Sequence, residues 1–171
     1  MKFFTTAKLT RMGITAGLYI VLSLIVFPVA SGSIQLRLSE ALTMLPLVFP
    51  ETAIGVFVGC ALSNLITGCA VFDIILGSLI TLLAGVLTAV IGKVIKNKPL
   101  KLFVGGLFPV LLNAFLLPLI WWYCYGQLDF LYIVQVCFLL ISQSVAIYGV
   151  GIPACLFSEK AKNKGLKGFT N

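Results

Sequence analysis

The sequence predicts an all-α integral membrane protein, a bundle of six transmembrane helices whose second helix is short. Of the 171 residues, 60% are hydrophobic and only 10% are charged, whereas a soluble domain carries roughly 25% charged residues. The mean hydropathy is +1.14. Because one helical crossing needs about 20 apolar residues, the chain has room for about five or six crossings. We therefore expect a single membrane domain, residues 1–171, in the cell membrane.

The first apolar block, residues 12–30, follows the basic start MKFFTTAKLTRMG. A signal peptide begins in the same way, but it ends at a small-residue cleavage site that is followed by a soluble mature chain. This sequence lacks that arrangement. We expect the block to be retained as the first helix.

The second apolar block, residues 40–70, is 31 residues long, too long for one crossing and too short for two full ones. Pro46 and Pro50 divide it, because proline removes an amide donor and disfavours helix in the residue before it. We predict a short helix at 39–49 and a full-length helix at 51–69. Inside a membrane the short segment must be buried against protein or line a polar cavity. Broken membrane helices often mark solute sites.

Three further apolar blocks, residues 72–95, 101–122 and 130–158, complete the count of six helices. The connection YCYGQLD, between the last two blocks, carries Asp129 and no Lys or Arg, as expected for an outside loop.

Eleven of the twelve basic residues form three clusters. Lys and Arg accumulate in the cytoplasmic loops of membrane proteins, so we expect the N-terminus, the loop at 96–101 and the C-terminus to be cytoplasmic. The net charge of +7 is then explained by the membrane topology and by contact with anionic lipid. We expect no nucleic-acid binding. The clusters are Lys2, Lys8 and Arg11; Lys93, Lys96, Lys98 and Lys101; and Lys160, Lys162, Lys164 and Lys167.

Polar residues gather at the expected outer ends of the helices around the short segment. Ionisable groups inside a membrane are costly, by ~2.5 to 3.5 kcal/mol each on insertion scales, and they usually have a role. Structural alternatives remain: Arg37 and Glu40 could form an interfacial ion pair, Asp73 could cap its helix, and Asn64 could join helices. The candidate residues are Gln35, Arg37, Glu40, Asn64 and Asp73.

Small residues one turn apart allow the backbones of two helices to approach closely. Such pairs occur at Gly13 and Gly17 with Ala16 between them, at Gly55 and Gly59, and at Gly85 and Ala89. The first set lies in the first helix, where it could contact a partner subunit or pack within the bundle. We treat Gly13, Ala16 and Gly17 as the candidate partner interface.

The sequence offers little for catalysis or for energising transport. Gly92-Lys93 lacks the G-x-x-x-x-G-K-[ST] frame that holds ATP phosphates, and there is no histidine for a proton relay or a metal. The five cysteines have no C-x-x-C spacing, so neither a metal site nor a disulfide is indicated. We expect no enzymatic activity, no cofactor and an external energy source.

The run IQLRLSEALTMLPLVFPETAIGVFVGCALSNLITG, followed by VFDIILGSLITLLAG, resembles the QueT family of substrate-binding S components of energy-coupling factor (ECF) transporters. The likeness lies in R-x-S-E-A-L, G-C-x-x-x-N and D-x-x-x-G-S-x-x-T, and it is strongest over 34–85. It implies a prokaryotic protein that captures queuine or its 7-deazaguanine precursor from outside. It also implies docking through small residues of the first helix onto a transmembrane coupling subunit, which two cytoplasmic ATPases drive.

The chemistry of a deazaguanine assigns roles to the candidate residues. One carboxylate, here Glu40, can accept its adjacent N–H and amino groups, and Asn64 or Arg37 can donate to its carbonyl. An aminomethyl precursor would bring a cation for Asp73, and Asn113 and Gln135 are further candidate contacts. The stacking aromatic could be Trp121, Trp122, Tyr123 or Tyr125, from which we select Trp122, although interfacial anchoring is the common role of such residues.

Two other functions remain as alternatives. One is a stand-alone secondary transporter or small channel for a polar or aromatic solute, which would be expected to show repeat symmetry or a charged relay. The other is an intramembrane enzyme or a structural scaffold. Uptake that requires added ATPase subunits would separate the importer subunit from a gradient-driven carrier.

Overall fold

A computed structural model of the chain describes residues 5–30, 37–126, 128 and 131–165. Over these residues the chain is a bundle of six helices, as predicted. The last helix is continuous but has three parts. The helices are α1 (Thr6–Ala30), a 3₁₀ helix (Leu38–Leu47), α2 (Thr52–Ile66), α3 (Val71–Val94), α4 (Lys98–Tyr125), and a last helix made of α5 (Tyr132–Ser144), a π-helical segment (Val145–Gly151) and α6 (Ile152–Asn163).

Four helices in the described part of the chain are long and apolar enough to cross a membrane: Thr6–Phe27, Val71–Val94, Lys98–Tyr125 and Tyr132–Asn163. The two helices between the first and second of these are shorter. The 3₁₀ helix is roughly 20 Å long at about 2.0 Å per residue, and α2 is roughly 22 Å long at about 1.5 Å per residue. The predicted short second helix is confirmed. The prediction of a full-length third helix is wrong, because α2 is also short.

The 3₁₀ helix occupies the centre of the bundle, where it contacts α1, α2, α3, α4 and the last helix. Its residues from Ser39 to Met44 are all buried, together with Pro46 and Leu47. Ten residues is long for a 3₁₀ helix, because its hydrogen bonds are poorer than those of an α-helix. The tertiary contacts on every side compensate for this. The segment is therefore covered by protein, as its polar backbone requires.

The helix α2 ends earlier than the predicted boundary at residue 69. Gly68 adopts the left-handed region, with φ of 74°, which glycine enters without steric cost. The amide of Cys69 then donates to the Asn64 carbonyl at 3.0 Å, and the amide of Gly68 donates to the Leu65 carbonyl at 3.2 Å. These two bonds form a Schellman cap that stops the helix at Ile66.

Close packing of α1 on α2 depends on two glycines of α2. A Cβ at Gly55 would lie 2.7 Å from the Met12 carbonyl oxygen, and a Cβ at Gly59 would lie 2.6 Å from the Tyr19 Cβ. Both distances are shorter than van der Waals contact allows. The small-residue pair at 55 and 59 therefore packs inside the bundle, whereas Gly13 and Gly17 have nothing within 4 Å of an added Cβ.

Four basic residues, Arg11, Lys98, Lys101 and Lys162, lie at one end of the bundle, which we call the basic end. Arg11 pairs with Glu51 at 2.6 Å, and Lys98 pairs with Glu159 at 2.5 Å. The Lys162 ammonium donates to the Val48 carbonyl at 3.3 Å. The start of α1, the start of α4 and the end of α6 therefore share this end, which agrees with the prediction that the N-terminus, the loop at 96–101 and the C-terminus lie on one side of the membrane. The cytoplasmic location of the basic end stays a prediction.

Candidate functional site

The centre of the candidate site is the carboxylate of Glu40, on the 3₁₀ helix, which is completely buried. The Tyr19 hydroxyl of α1 donates a hydrogen bond of 2.5 Å to Oε1 of Glu40. The Thr81 hydroxyl of α3 lies 3.5 Å from the same oxygen. The other oxygen, Oε2, is buried and has no hydrogen-bond partner among the described residues. One oxygen of this carboxylate therefore still lacks a hydrogen-bond partner in the described part of the chain.

A polar strip on α2 extends from this carboxylate towards the end of the bundle opposite the basic end. The Thr81 hydroxyl lies 3.5 Å from the Cys60 sulfur, and the Asn64 Nδ2 lies 3.8 Å from that same sulfur. Cys60 and Asn64 are one helical turn apart, so both face the bundle interior, where both are buried. Their spacing places Asn64 between Glu40 and the next carboxylate.

That second carboxylate, Asp73, lies in the first turn of α3 and is also buried. If Gly77 had a Cβ, that atom would lie 3.3 Å from Asp73 Oδ1 and 3.5 Å from Asn64 Nδ2. A larger residue than glycine would therefore fill the space shared by the two side chains. The Asp73 carboxylate lies near Arg37 and Trp121 and interacts with both electrostatically, and its Oδ1 has no hydrogen-bond partner among the described residues.

Arg37 supplies a positive charge beside both carboxylates. Its Cζ lies 5.9 Å from the centroid of the Trp121 ring, a cation–π distance. The guanidinium interacts electrostatically with Glu40 and Asp73. Within the described ranges it forms no ion pair with either one. The interfacial Arg37–Glu40 pair, the structural alternative raised for these residues, is not observed, because Glu40 is buried against Tyr19.

A second group of buried polar side chains lies on α4 and α5. The Asn113 Nδ2 donates to the Gln143 Oε1 at 3.5 Å, and both side chains are fully buried. Gln135, two turns before Gln143, is buried on the same helix. Asn113 Oδ1 and Gln143 Nε2 have no hydrogen-bond partner among the described residues.

The structure brings together four of the eight predicted site residues, and two more lie in the second group. Arg37, Glu40, Asn64 and Asp73 line one continuous polar region, and Asn113 and Gln135 belong to the second group. Trp122 does not join them, because its side chain is 61% exposed and Trp121, at 7%, faces the interior instead. Gln35 lies outside the described residues.

Sequence reasoning missed three residues that contact the predicted site residues. Tyr19 and Thr81 contact Glu40, and Gln143 contacts Asn113. A signal for two of them exists in the spacing. Thr81 follows Asp73 and Gly77 at intervals of four, and Tyr19 follows Thr15 at the same interval, so each lies on the buried face of its helix. Gln143 offered no such signal, because the isolated amide is as compatible with a helix–helix hydrogen bond as with a site.

The predicted partner interface lies on the outside of the bundle. Gly13 and Gly17 are exposed, and Ala16, half-buried between them, contacts α2 through its carbonyl oxygen near Gly59. The exposed glycines leave a smooth strip along α1. Within the described residues this strip carries no neighbouring helix, since an added Cβ at either glycine has nothing within 4 Å.

Chemically, the region combines two carboxylates, one guanidinium, one indole and buried amides inside an apolar bundle. Such a set suits a flat, nitrogen-rich molecule that offers several hydrogen-bond donors.

Comparisons with known proteins agree with a transport role. Searches of curated proteins and of solved structures gave no significant match. A protein-family model described as "QueT transporter" matches residues 9–160, which is most of the chain. The chain is therefore a multi-pass membrane protein that belongs to the QueT transporter family.

Proposed function

We propose that the chain is the substrate-binding subunit of an ECF-type importer and that it binds a 7-deazaguanine, either a queuosine precursor or queuine, from outside. The observation that carries the proposal is the Glu40 carboxylate, which is held by Tyr19 and Thr81 on one oxygen and unpartnered on the other. An ionised acid in a membrane protein interior is costly, so a half-satisfied one indicates a ligand that completes it.

The ligand edge that fits Glu40 is a ring N–H next to an exocyclic amino group. Both groups are donors, and they lie side by side, so Oε2 of Glu40, which has two lone pairs and no partner among the described residues, can accept from them. Tyr19 fixes the rotation of the carboxylate, which aims Oε2 at the ligand. Guanine-type rings present this edge.

The neighbouring residues supply the remaining complementary groups. The Arg37 guanidinium or the Asn64 amide can donate to the ring carbonyl. Trp121, which is buried beside Arg37, takes the stacking role that the sequence had suggested for Trp122. Asp73, whose Oδ1 is unpartnered, can pair with the cation of an aminomethyl substituent.

Energy for uptake comes, in this proposal, from a transmembrane coupling subunit and two cytoplasmic ATPases. The exposed strip of Gly13 and Gly17 on α1 provides a smooth face on which a partner helix can pack closely.

The first experiment measures affinity by calorimetry with the detergent-purified chain. The panel contains guanine, 7-cyano-7-deazaguanine, 7-aminomethyl-7-deazaguanine and queuine. Glu40→Gln removes the charge and one acceptor, so the affinity for the preferred deazaguanine should fall about 100-fold, the equivalent of about 2.7 kcal/mol. The matched control is Glu159→Gln, the same change at the basic end. Absence of binding by the wild-type chain, or equal loss in both variants, would refute the proposal.

The second experiment tests the energy source. Proteoliposomes that contain the chain alone should bind the deazaguanine without accumulating it, and accumulation should require the coupling and ATPase subunits with ATP. Accumulation driven by an ion gradient through the chain alone would instead support a secondary transporter.

A further inference from the structure

We infer that the buried amide pair of Asn113 and Gln143 is a second recognition element of the proposed site, one that reads a different edge of the base from the edge that Glu40 binds. The pair would distinguish a ring with a free N–H on that edge from a ring substituted there. This inference rests on the proposed function, and it names residues that set specificity.

The geometry of the pair leaves one donor and one acceptor unused. Asn113 Nδ2 donates to Gln143 Oε1 at 3.5 Å, while Asn113 Oδ1 and Gln143 Nε2 have no partner among the described residues. Exchanging the oxygen and nitrogen positions of both amides would reverse the bond between them. It would again leave one carbonyl oxygen and one NH₂ group unused. The chemistry that the pair offers is therefore the same in either assignment.

The register of α3 on α4 places the pair at the depth of Glu40. Gly77 lies against Leu117, and Thr88 donates to the Gly105 carbonyl at 2.9 Å. These two antiparallel contacts put Asn113 opposite Thr81. The Thr81 hydroxyl lies 3.5 Å from Glu40 Oε1.

The 3₁₀ helix is surrounded by the helices that carry the amide pair and the hydrogen-bond partners of Glu40. Glu40 belongs to that central helix and is held from α1 and α3, whereas the amide pair belongs to α4 and α5. The π-helical segment that follows Gln143 packs directly on the 3₁₀ helix. The Glu40 carboxylate and the amide pair therefore lie on different helices at a similar depth in the bundle.

Asn113 Oδ1 and Gln143 Nε2 are buried polar atoms without a hydrogen-bond partner among the described residues. Each unsatisfied buried donor or acceptor costs about 1–3 kcal/mol, and native proteins retain few of them. A ligand that offers an N–H to the carbonyl and a ring nitrogen to the NH₂ group would satisfy both at once.

A 7-deazaguanine free base carries that arrangement on the edge that adjoins its exocyclic amino group on the side opposite the pyrimidinone N–H. Its pyrrole N–H lies next to the pyrimidine ring nitrogen, as a donor beside an acceptor. A ribose or a methyl group on the pyrrole nitrogen removes the donor and adds bulk against two fully buried side chains. The pair would therefore accept the free base and reject the nucleoside.

The test uses three probes on the unmodified wild-type chain: 7-cyano-7-deazaguanine, its derivative methylated on the pyrrole nitrogen, and its ribonucleoside. A site built to hydrogen-bond a group rejects analogues that lack it, so the methylated base and the nucleoside should each bind at least about 100-fold more weakly. Binding of the methylated base within about 3-fold of the parent would overturn the inference while leaving the proposed function intact. Absence of binding by all deazaguanines would refute the proposed function itself.

A variant series identifies the residues responsible. In Gln143→Leu the affinity for the free base should fall about 10-fold or more, and the preference over the methylated base should collapse. Glu40→Gln should weaken both ligands while preserving that preference, because it acts on the other edge. An unchanged preference in Gln143→Leu would overturn the assignment. If that variant does not fold, the ligand comparison on the wild-type chain still decides the question.

Discussion

At the scale of single residues, the hydroxyl of Tyr19 has the largest influence on how Glu40 is presented. Its bond to Oε1 is buried and charge-assisted, and such bonds contribute about 1.5–3 kcal/mol. Without it the carboxylate would rotate, and its desolvation would be compensated less well.

We therefore predict that Tyr19→Phe lowers deazaguanine affinity about 10-fold. Tyr132→Phe is the matched control, since its hydroxyl bonds the Phe115 carbonyl at an exposed position away from Glu40. Calorimetry on both variants checks the prediction. Equal affinities for Tyr19→Phe and the wild type would show that Tyr19 does not position the carboxylate.

The charged site residues could be predicted from the sequence, but their neutral partners could not. Arg37, Glu40 and Asp73 are conspicuous because ionisable groups are rare inside membranes. Tyrosine, threonine and tryptophan are common on lipid-facing and interfacial surfaces as well. The rotation of α4 distinguishes buried Trp121 from exposed Trp122. Trp121 follows Asn113 by two helical turns, and this spacing is the signal that favours it over Trp122.

At the scale of helices, two glycine pairs of identical spacing have opposite environments. Gly55 and Gly59 lie under the backbone of α1, whereas Gly13 and Gly17 face outward. The spacing alone indicates close approach in both cases, and it does not show which helix approaches.

A pair of leucine substitutions should separate these environments. Gly55→Leu would drive a side chain into the Met12 carbonyl, so we expect little folded protein after purification. Gly17→Leu should retain fold and ligand affinity, and it should weaken assembly with the coupling subunit if the proposed docking face is correct. Size-exclusion profiles, calorimetry and co-purification measure these three properties. Normal assembly of the Gly17 variant would remove that face from the interface.

The connection between the 3₁₀ helix and α2 is fastened at the basic end by the Arg11–Glu51 pair, whose side chains are only 8% and 11% exposed. Phe49, beside this pair, is flanked by cations, since the Arg11 Cζ lies 4.6 Å and the Lys162 Nζ lies 5.2 Å from its ring centroid. Removing one member of a buried pair leaves an uncompensated charge, at a cost of about 3 kcal/mol.

Arg11→Met should therefore lower the thermal unfolding midpoint clearly, and Arg11→Met combined with Glu51→Met should recover most of the loss. Thermal unfolding in detergent, followed by fluorescence or by aggregation, measures both. A double variant as unstable as the single one would show that the ion pair itself, and not the stranded charge, stabilises this connection.

The number and order of the helices could be predicted, because apolar length is a strong signal. Their local geometry could not. Pro46 and Pro50 mark where the chain is interrupted, but they do not report whether the segment winds as a 3₁₀ or an α-helix. The π-helical segment before Pro153 could not be predicted from the sequence either. Gly151 packs tightly against the Ala41 carbonyl, which belongs to a distant part of the chain.

At the scale of the whole molecule, the basic end should face the cytoplasm. Reporter proteins that are active only in the cytoplasm should be active when fused to either terminus. The same reporter inserted after Gly126, at the end of α4 opposite the basic end, should be inactive. Activity of the insertion together with inactivity of both fusions would invert the proposed orientation and place the Glu40 site on the cytoplasmic side.

The short third helix affects the surrounding lipid as well as the protein. Leu62, Leu65 and Ile66 of α2 are exposed apolar side chains, so α2 borders the acyl chains. It spans roughly 22 Å, against a hydrocarbon thickness of about 30 Å. Lipids that adjoin α2 must shorten to match it, at a modest cost per ångström of hydrophobic mismatch. We therefore expect the bilayer to be thinner on the α2 side of the protein, and we expect the protein to be more stable in short-chain than in long-chain phosphatidylcholine.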